Sequence, residues 1–213
     1  MILDLLFQSP ALFAVWLVAT LSALTVHEFS HALTAYWLGD TTARDEGRLT
    51  LNPIAHIDWV GFVLLVLIGF GWGKPVPYNP YRLRLPRLGP VLVGLAGPFS
   101  NLLFAIASSI LFFVAGTQLG FTNDTLLIQF CVFSVSLNLV LMLFNLIPVP
   151  PLDGSKVLLA LLSSPRYEYI RFILETRGPL LLLGVIILDR ITGISIIGTL
   201  LHGMLQGIRG ILG

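Results

Sequence analysis

Residues 24–37 read LTVHEFSHALTAYW: two histidines and a glutamate inside a run, Leu12 to Leu38, that is otherwise almost wholly Leu, Ala, Val, Trp, Phe and small residues. Each ionisable residue at the centre of a membrane helix costs about 2.5–3.5 kcal/mol on insertion scales, so three together need a purpose. The rest of the chain makes lipid the right reference. Of its 213 residues 56% are hydrophobic and 11% charged, with a mean hydropathy of +0.91. A soluble domain carries about twice that charge fraction, and several apolar stretches reach the roughly 20 helical residues that cross a bilayer. The composition specifies a polytopic membrane protein in contact with lipid. A net charge of +1 leaves no electrostatic footprint for nucleic acid, and none is expected as a partner. The single cysteine, Cys131, sits in an apolar run, excludes an intramolecular disulfide and reads as a small hydrophobe. The N-terminus, MILDLLFQSP, has an aspartate where a cleavable signal would carry Lys or Arg, so no such signal is expected.

Outward from the cluster, residues 10–38 form one long helix candidate closed by Gly39-Asp40. Residues 41–58, TTARDEGRLTLNPIAHID, are polar, with two short β-like pieces around Gly47 and a break at Asn52-Pro53. The apolar stretch 59–71 is too short to span comfortably and reads as a re-entrant, half-crossing or tilted segment. Prolines exclude a regular helix from WGKPVPYNPYRLRLPRLGP. Two further spans, 88–117 and 125–147, flank the short turn QLGFTND. A basic stretch, 163–178, precedes a last apolar segment from about 179 to 202. The expected fold is an all-α polytopic bundle of about four to six transmembrane or half-spanning helices, with a small membrane-associated β element. Residues 1–213 read as one integral-membrane domain, a catalytic core over about 10–160 and C-terminal helices over about 161–213.

Lys74, Arg82, Arg84 and Arg87 fall in one loop and Lys156, Arg166, Arg171 and Arg177 in another, while the turn at 118–124 has no basic residue. The positive-inside rule puts both basic loops in the cytoplasm of a multi-pass protein of the cell membrane. Residues 82, 84 and 87 most simply meet anionic headgroups. His31 precedes Gly39 by eight residues, which sets the cluster roughly 12 Å below the cytoplasmic surface at 1.5 Å per residue.

His27 and His31, at i and i+4, share one helix face, a spacing that lets both imidazoles bind a single Zn²⁺. Glu28 is offset by about 100°, beside such an ion and in reach of a proton on an activated water. This is the H-E-x-x-H arrangement of zinc hydrolases. A catalytic zinc usually has three protein ligands. His56 and His202 are possible third ligands; Glu168, Glu175 and Asp189 lie in or beside mostly water-accessible segments. Asp153 stands slightly ahead of His56, since it follows a span with Asn138 and Asn145 on one face, in a Pro-Pro-Leu-Asp-Gly turn that can fold back.

HEFSH at 27–31 and NLIPVPPLDG at 145–154 resemble the two signatures of the site-2 protease family of intramembrane zinc metalloproteases. RLTLNPIAHID at 48–58, GKPVPYNP at 73–80 and GLAGPFSN at 94–101 are similar to that family's compact prokaryotic members, without a PDZ domain or a CBS pair. The resemblance implies that His27, His31 and Asp153 hold one zinc ion per chain and that Glu28 is the general base. It further implies that Asn145 steadies the substrate carbonyl or water, and a membrane-associated β-sheet near 41–58 whose edge takes an extended substrate. Asn101 is expected inside the bundle as an interhelical contact or a catalytic support, and His56 over the site or within its own loop. The GKPVPYNP segment is expected to be stiff and near the membrane boundary, as part of a gate. His202 reads as structural or interfacial. The substrate would be the transmembrane segment of another protein, cut in regulated intramembrane proteolysis. Two other readings stay open: a catalytically inactive scaffold that binds transmembrane helices, and a metal transporter.

Overall fold

The computed structural model describes residues 2–192 and Thr199, so the end of the last apolar segment and His202 lie outside the described residues. The chain forms two compact units, divided between Leu139 and Val140.

The first unit opens with α1 (Ile2–Gln8), seven residues that hydropathy alone does not separate from the helix that follows. Ser9 then caps α2 (Pro10–Trp37), its hydroxyl accepting from the Leu12 N–H, and Pro10 fills the first helical position, where a missing N–H costs nothing. α2 ends where Gly39 takes φ +101°, a left-handed conformation that Gly adopts without strain. α5 (Gly89–Thr117) is the other long helix of this unit, and α6 (Leu126–Asn145) leads out of it. α2, α5 and α6 are each long and apolar enough to cross a membrane. On α5, Phe99, Leu103, Ile106, Ile110 and Phe113 form an apolar stripe about half exposed or more, while Gly97, Asn101, Ala105 and Ser108 are buried. An outside of large apolar groups and an inside of small and polar ones suits a bundle solvated by lipid.

α4 (Trp59–Ile68) starts on the Asp58 side chain, which accepts from the Gly61 N–H, and stops at Gly69 in the left-handed region. Ten residues give about 15 Å, half a hydrocarbon core. The chain then doubles back, and a Cβ on Gly71 would come within 2.0 Å of the Gly61 carbonyl oxygen. Segment 59–71 is therefore a helix that folds back on itself, one of the alternatives its length allowed.

The expected β element is absent among the described residues. Residues 41–58 instead hold a four-residue helix, α3 (Thr42–Asp45), and a 3-10 turn (Pro53–His56), and the sole β pairing is an isolated antiparallel bridge between Ile57 and Gly73. Side-chain capping prevailed over strand pairing. Asp40 accepts from the Thr42 N–H and hydroxyl, and Asn52 accepts from the Ile54 N–H.

Residues 73–84 form a strap along the C-terminal half of α2. Prolines 75, 77 and 80 remove donors, and N–H groups between and beside them reach out of the strap: Lys74 donates to the His56 carbonyl, Val76 to Glu28, Asn79 to Asp40 and Arg84 to the Leu38 carbonyl. Arg48, buried, donates to the carbonyls of Lys74 and Pro75. Asp40 is the strap's distal pin. Burial pushes its carboxyl upward, but the Thr42 hydroxyl, the Asn79 and Thr42 N–H groups and the Arg82 charge outweigh it and hold the pKa below the ordinary value. A carboxyl depressed on folding stabilises the protein above about pH 3.9, and the benefit fades as pH falls through the lower folded value. Asp40→Asn turns an amide donor toward the Asn79 N–H and should cost about 2 kcal/mol. Thermal unfolding in detergent against pH should show the wild-type advantage flat between about pH 5 and 8 and shrinking below about pH 4.

In the second unit, α6 ends at Asn145 and a proline-rich turn leads to α7 (Gly154–Leu161). A Cβ on Gly154 would lie 2.2 Å from the Leu146 carbonyl oxygen, so this turn closes back on the end of α6. α8 (Glu168–Thr192) starts inside the basic stretch expected to be a loop, placing Arg171 and Arg177 on a helix. Glu, Arg and Leu are good helix formers, and charge there marks exposure rather than a loop.

Candidate metal centre

α2 brings His27, Glu28 and His31 to its buried side. The His31 Nδ1 lies 2.6 Å from the carbonyl oxygen of Val93 on α5, an acceptor only, so Nδ1 carries the proton. The His27 Nδ1 lies 2.6 Å from the Asn101 Oδ1. The orientation of that amide is fixed from its other end, where Nδ2 donates to the Ala23 carbonyl at 3.3 Å and to the Asn138 Oδ1 at 2.6 Å. The His27 Nδ1 is therefore the donor as well. The two Nε2 atoms face each other 3.0 Å apart, the rings nearly perpendicular.

Zinc–nitrogen bonds of about 2.05 Å at a tetrahedral angle put two nitrogens about 3.3 Å apart, close to what the pair presents. The oxygens at the two Nδ1 atoms, a main-chain carbonyl and a side-chain amide oxygen, are of the kind that fix the tautomer of a metal-bound histidine. The residues fit a zinc ion.

Gly97 makes the approach of α5 possible. A Cβ there would sit 2.5 Å from the His31 Nε2 and 2.6 Å from the His27 Cε1. Glu28 is held from the opposite side, where Oε2 accepts the Val76 N–H of the strap at 3.2 Å.

His56 is fully enclosed. Its Nε2 lies 2.8 Å from the Thr50 carbonyl and its own carbonyl accepts the Lys74 N–H, so it ties the 41–58 loop to the strap. In the second unit, the Asn145 Nδ2 donates to the Leu141 carbonyl one turn back. Asp153 precedes α7 and is partly buried.

The profile of Peptidase family M50 matches residues 117–183. A Bacillus subtilis protein named "Putative zinc metalloprotease YwhC" is 46% identical over 147 residues, 67% of each chain. One from Methanocaldococcus jannaschii, "Putative zinc metalloprotease MJ0611", is 31% identical over 150 residues, 70% of this chain and 72% of its own. The chain belongs to peptidase family M50. A third relative, "Putative zinc metalloprotease Rip2" of Mycobacterium tuberculosis, is 34% identical over 146 residues, 65% of this chain and 52% of its own. No solved structure matches. Membership of M50, the site-2 protease family, supports a zinc metalloprotease in the membrane.

Within that M50 frame, sequence reasoning found the imidazole pair and Glu28 but missed what holds them. Asn101 does make the interhelical contacts expected of it, but the Val76 N–H, Arg48 behind it and the partnership of Asn101 with Asn138 carry no signal in spacing.

Proposed function

We propose that this M50 chain is an intramembrane zinc endopeptidase that hydrolyses peptide bonds within or beside a transmembrane segment of another protein. The observation that carries the reading is the approach of the two imidazoles, their Nε2 atoms 3.0 Å apart, within α2, a helix able to cross a membrane. Asp153 supplies the third ligand. In this reading two buried imidazoles and a part-buried carboxylate would complete a His-His-Asp donor set suited to one zinc ion. Bound there, zinc would supply Lewis acidity, lowering the pKa of a water toward about 7 and polarising the scissile carbonyl.

The chain's own residues do the rest. Glu28 takes the proton of the attacking water and returns it to the leaving amine. Val76 orients Glu28 through its N–H, and Asn145 steadies the substrate carbonyl. His56 supports the site through the loop it ties to the strap. A substrate helix has its amides already hydrogen-bonded, so it must unwind first, and helix-breaking residues near the scissile bond favour cleavage. The basic residues orient the chain with the site nearer the cytoplasmic side of the cell membrane, in contact with anionic lipid. Regulated intramembrane proteolysis is the setting this reading implies.

Purified protein in detergent, incubated with a labelled single-span substrate, tests the reading. Chelation should abolish cleavage and zinc restore it. Asp153→Ala should lower metal affinity by 10-fold or more, measured by competition with a chromophoric chelator. Metal-bearing wild type that leaves several such substrates intact would favour a scaffold or a transporter. An Asp153→Ala variant with unchanged metal occupancy would remove that residue from the ligand set.

A further inference from the structure

Asn138 of α6 has no part in the reading above, yet it is fully buried in a membrane-spanning helix, as is Asn101 on α5. An amide in that setting is costly unless its donors and acceptor are matched, and here each match has a direction. The Asn138 Nδ2 donates to the main-chain carbonyl of Ser134 at 2.8 Å, an acceptor only, which turns Oδ1 toward α5. The Asn138 Oδ1 accepts from the Asn101 Nδ2 at 2.6 Å, which turns the Asn101 Oδ1 toward α2. That oxygen accepts the His27 Nδ1–H at 2.6 Å, and the ring's Nε2 lies toward His31, 3.0 Å from its Nε2. The Ser108 and Ser134 hydroxyls, 2.8 Å apart, close the far end. Three helices thus contribute to one head-to-tail series of amide dipoles, whose members polarise one another in a low-dielectric interior.

We propose that Asn138 is a positioning residue for the metal centre, acting through Asn101 to lock His27 in the tautomer that can ligate. This rests on the zinc reading above. Without the Asn138 oxygen, the Asn101 Nδ2 keeps only its 3.3 Å contact with Ala23, and the amide is able to flip. A flipped amide offers Nδ2 to the His27 Nδ1, forces the proton onto Nε2 and removes the lone pair a metal needs.

The test compares Asn138→Leu, which deletes the acceptor, with Asn138→Asp, which keeps one, and with Ser108→Ala, which removes only the far end. Co²⁺ and Zn²⁺ affinities are measured on full-length protein in detergent, with the visible spectrum of the Co²⁺ form and melting of each variant under chelator. Asn138→Leu should lose about 10- to 100-fold in metal affinity and shift the Co²⁺ bands. Asn138→Asp and Ser108→Ala should stay within about 3-fold of wild type, a range well inside that loss. Affinity and spectrum unchanged in Asn138→Leu would overturn the inference. So would equal losses in all three variants that track melting under chelator, the signature of a packing role. Should Asn138→Leu fail to fold, Asn138→Asp decides alone, retained affinity supporting the relay and a 10-fold loss overturning it. Wild type that takes up no divalent ion would overturn the zinc reading itself, an outcome distinct from metal uptake indifferent to Asn138.

Discussion

Glu28→Gln should yield a folded, metal-bearing protein whose cleavage of a transmembrane substrate has fallen by about 10²- to 10⁴-fold, the range that a general base contributes. Glutamine has nearly the shape of glutamate, and its amide oxygen can still accept the Val76 N–H that Glu28 accepts at 3.2 Å. The strap and the two imidazoles have no reason to move. What glutamine lacks is a site for the proton of the attacking water, and with it the means of returning that proton to the leaving amine. The expected signature is a separation of readouts: metal content and thermal stability near wild type, turnover almost gone. Initial rates of a fluorogenic single-span substrate, run beside metal analysis of the same preparation, measure it. Cleavage within about 3-fold of wild type would take the proton transfer away from Glu28. Loss of metal in parallel with loss of rate would make Glu28 a determinant of the site's architecture instead.

Glu28 was legible in the sequence because its relation to His27 and His31 is fixed by the helix itself. Five residues of α-helix carry the geometry, and no tertiary contact is needed to read it. The long spans were legible for a related reason: α2, α5 and α6 obey a length and hydropathy rule set by lipid, and their observed ends fall within one or two residues of expectation. Legibility failed where the outcome depended on a competition. The polar stretch 41–58 has residues suited to strands, but Asp40, Asn52 and Pro53 offer the backbone local partners, and only Ile57 finds one across a bridge. The helical start of α8 is hidden because a charged stretch fits a loop and an exposed helix equally well. The supports of the imidazoles were least visible, since Val93, Asn101 and Asn138 lie 62 to 111 residues from the histidines they serve.

Gly97 shows how much rests on such distant fits, and Gly97→Ala should be nearly as damaging as loss of a ligand. In an isolated helix the change would stabilise by about 0.8–1 kcal/mol, since alanine is the better helix former. Here the added carbon would stand 2.5 Å from the His31 Nε2 and 2.6 Å from the His27 Cε1, the edges that face the ion in the proposed function. Relief by ring rotation would break the bonds to Val93 and Asn101, and relief by helix separation would open the α2–α5 seam. Either path spoils the imidazole pair while leaving most of the bundle intact. Metal affinity should therefore fall about 100-fold, the upper end of what disturbed support shells cost. Activity should fall with it. The protein under chelator should melt close to wild type, because the helix gain offsets part of the local strain. Titrating zinc into both proteins while following thermal unfolding separates the terms. At a fixed saturating concentration, a 100-fold weaker site forfeits about 2.7 kcal/mol of metal-linked stabilisation. An unchanged zinc-induced shift in Gly97→Ala would mean that the imidazoles do not share an ion on the side facing α5, and the reading of that 3.0 Å gap would fall with it.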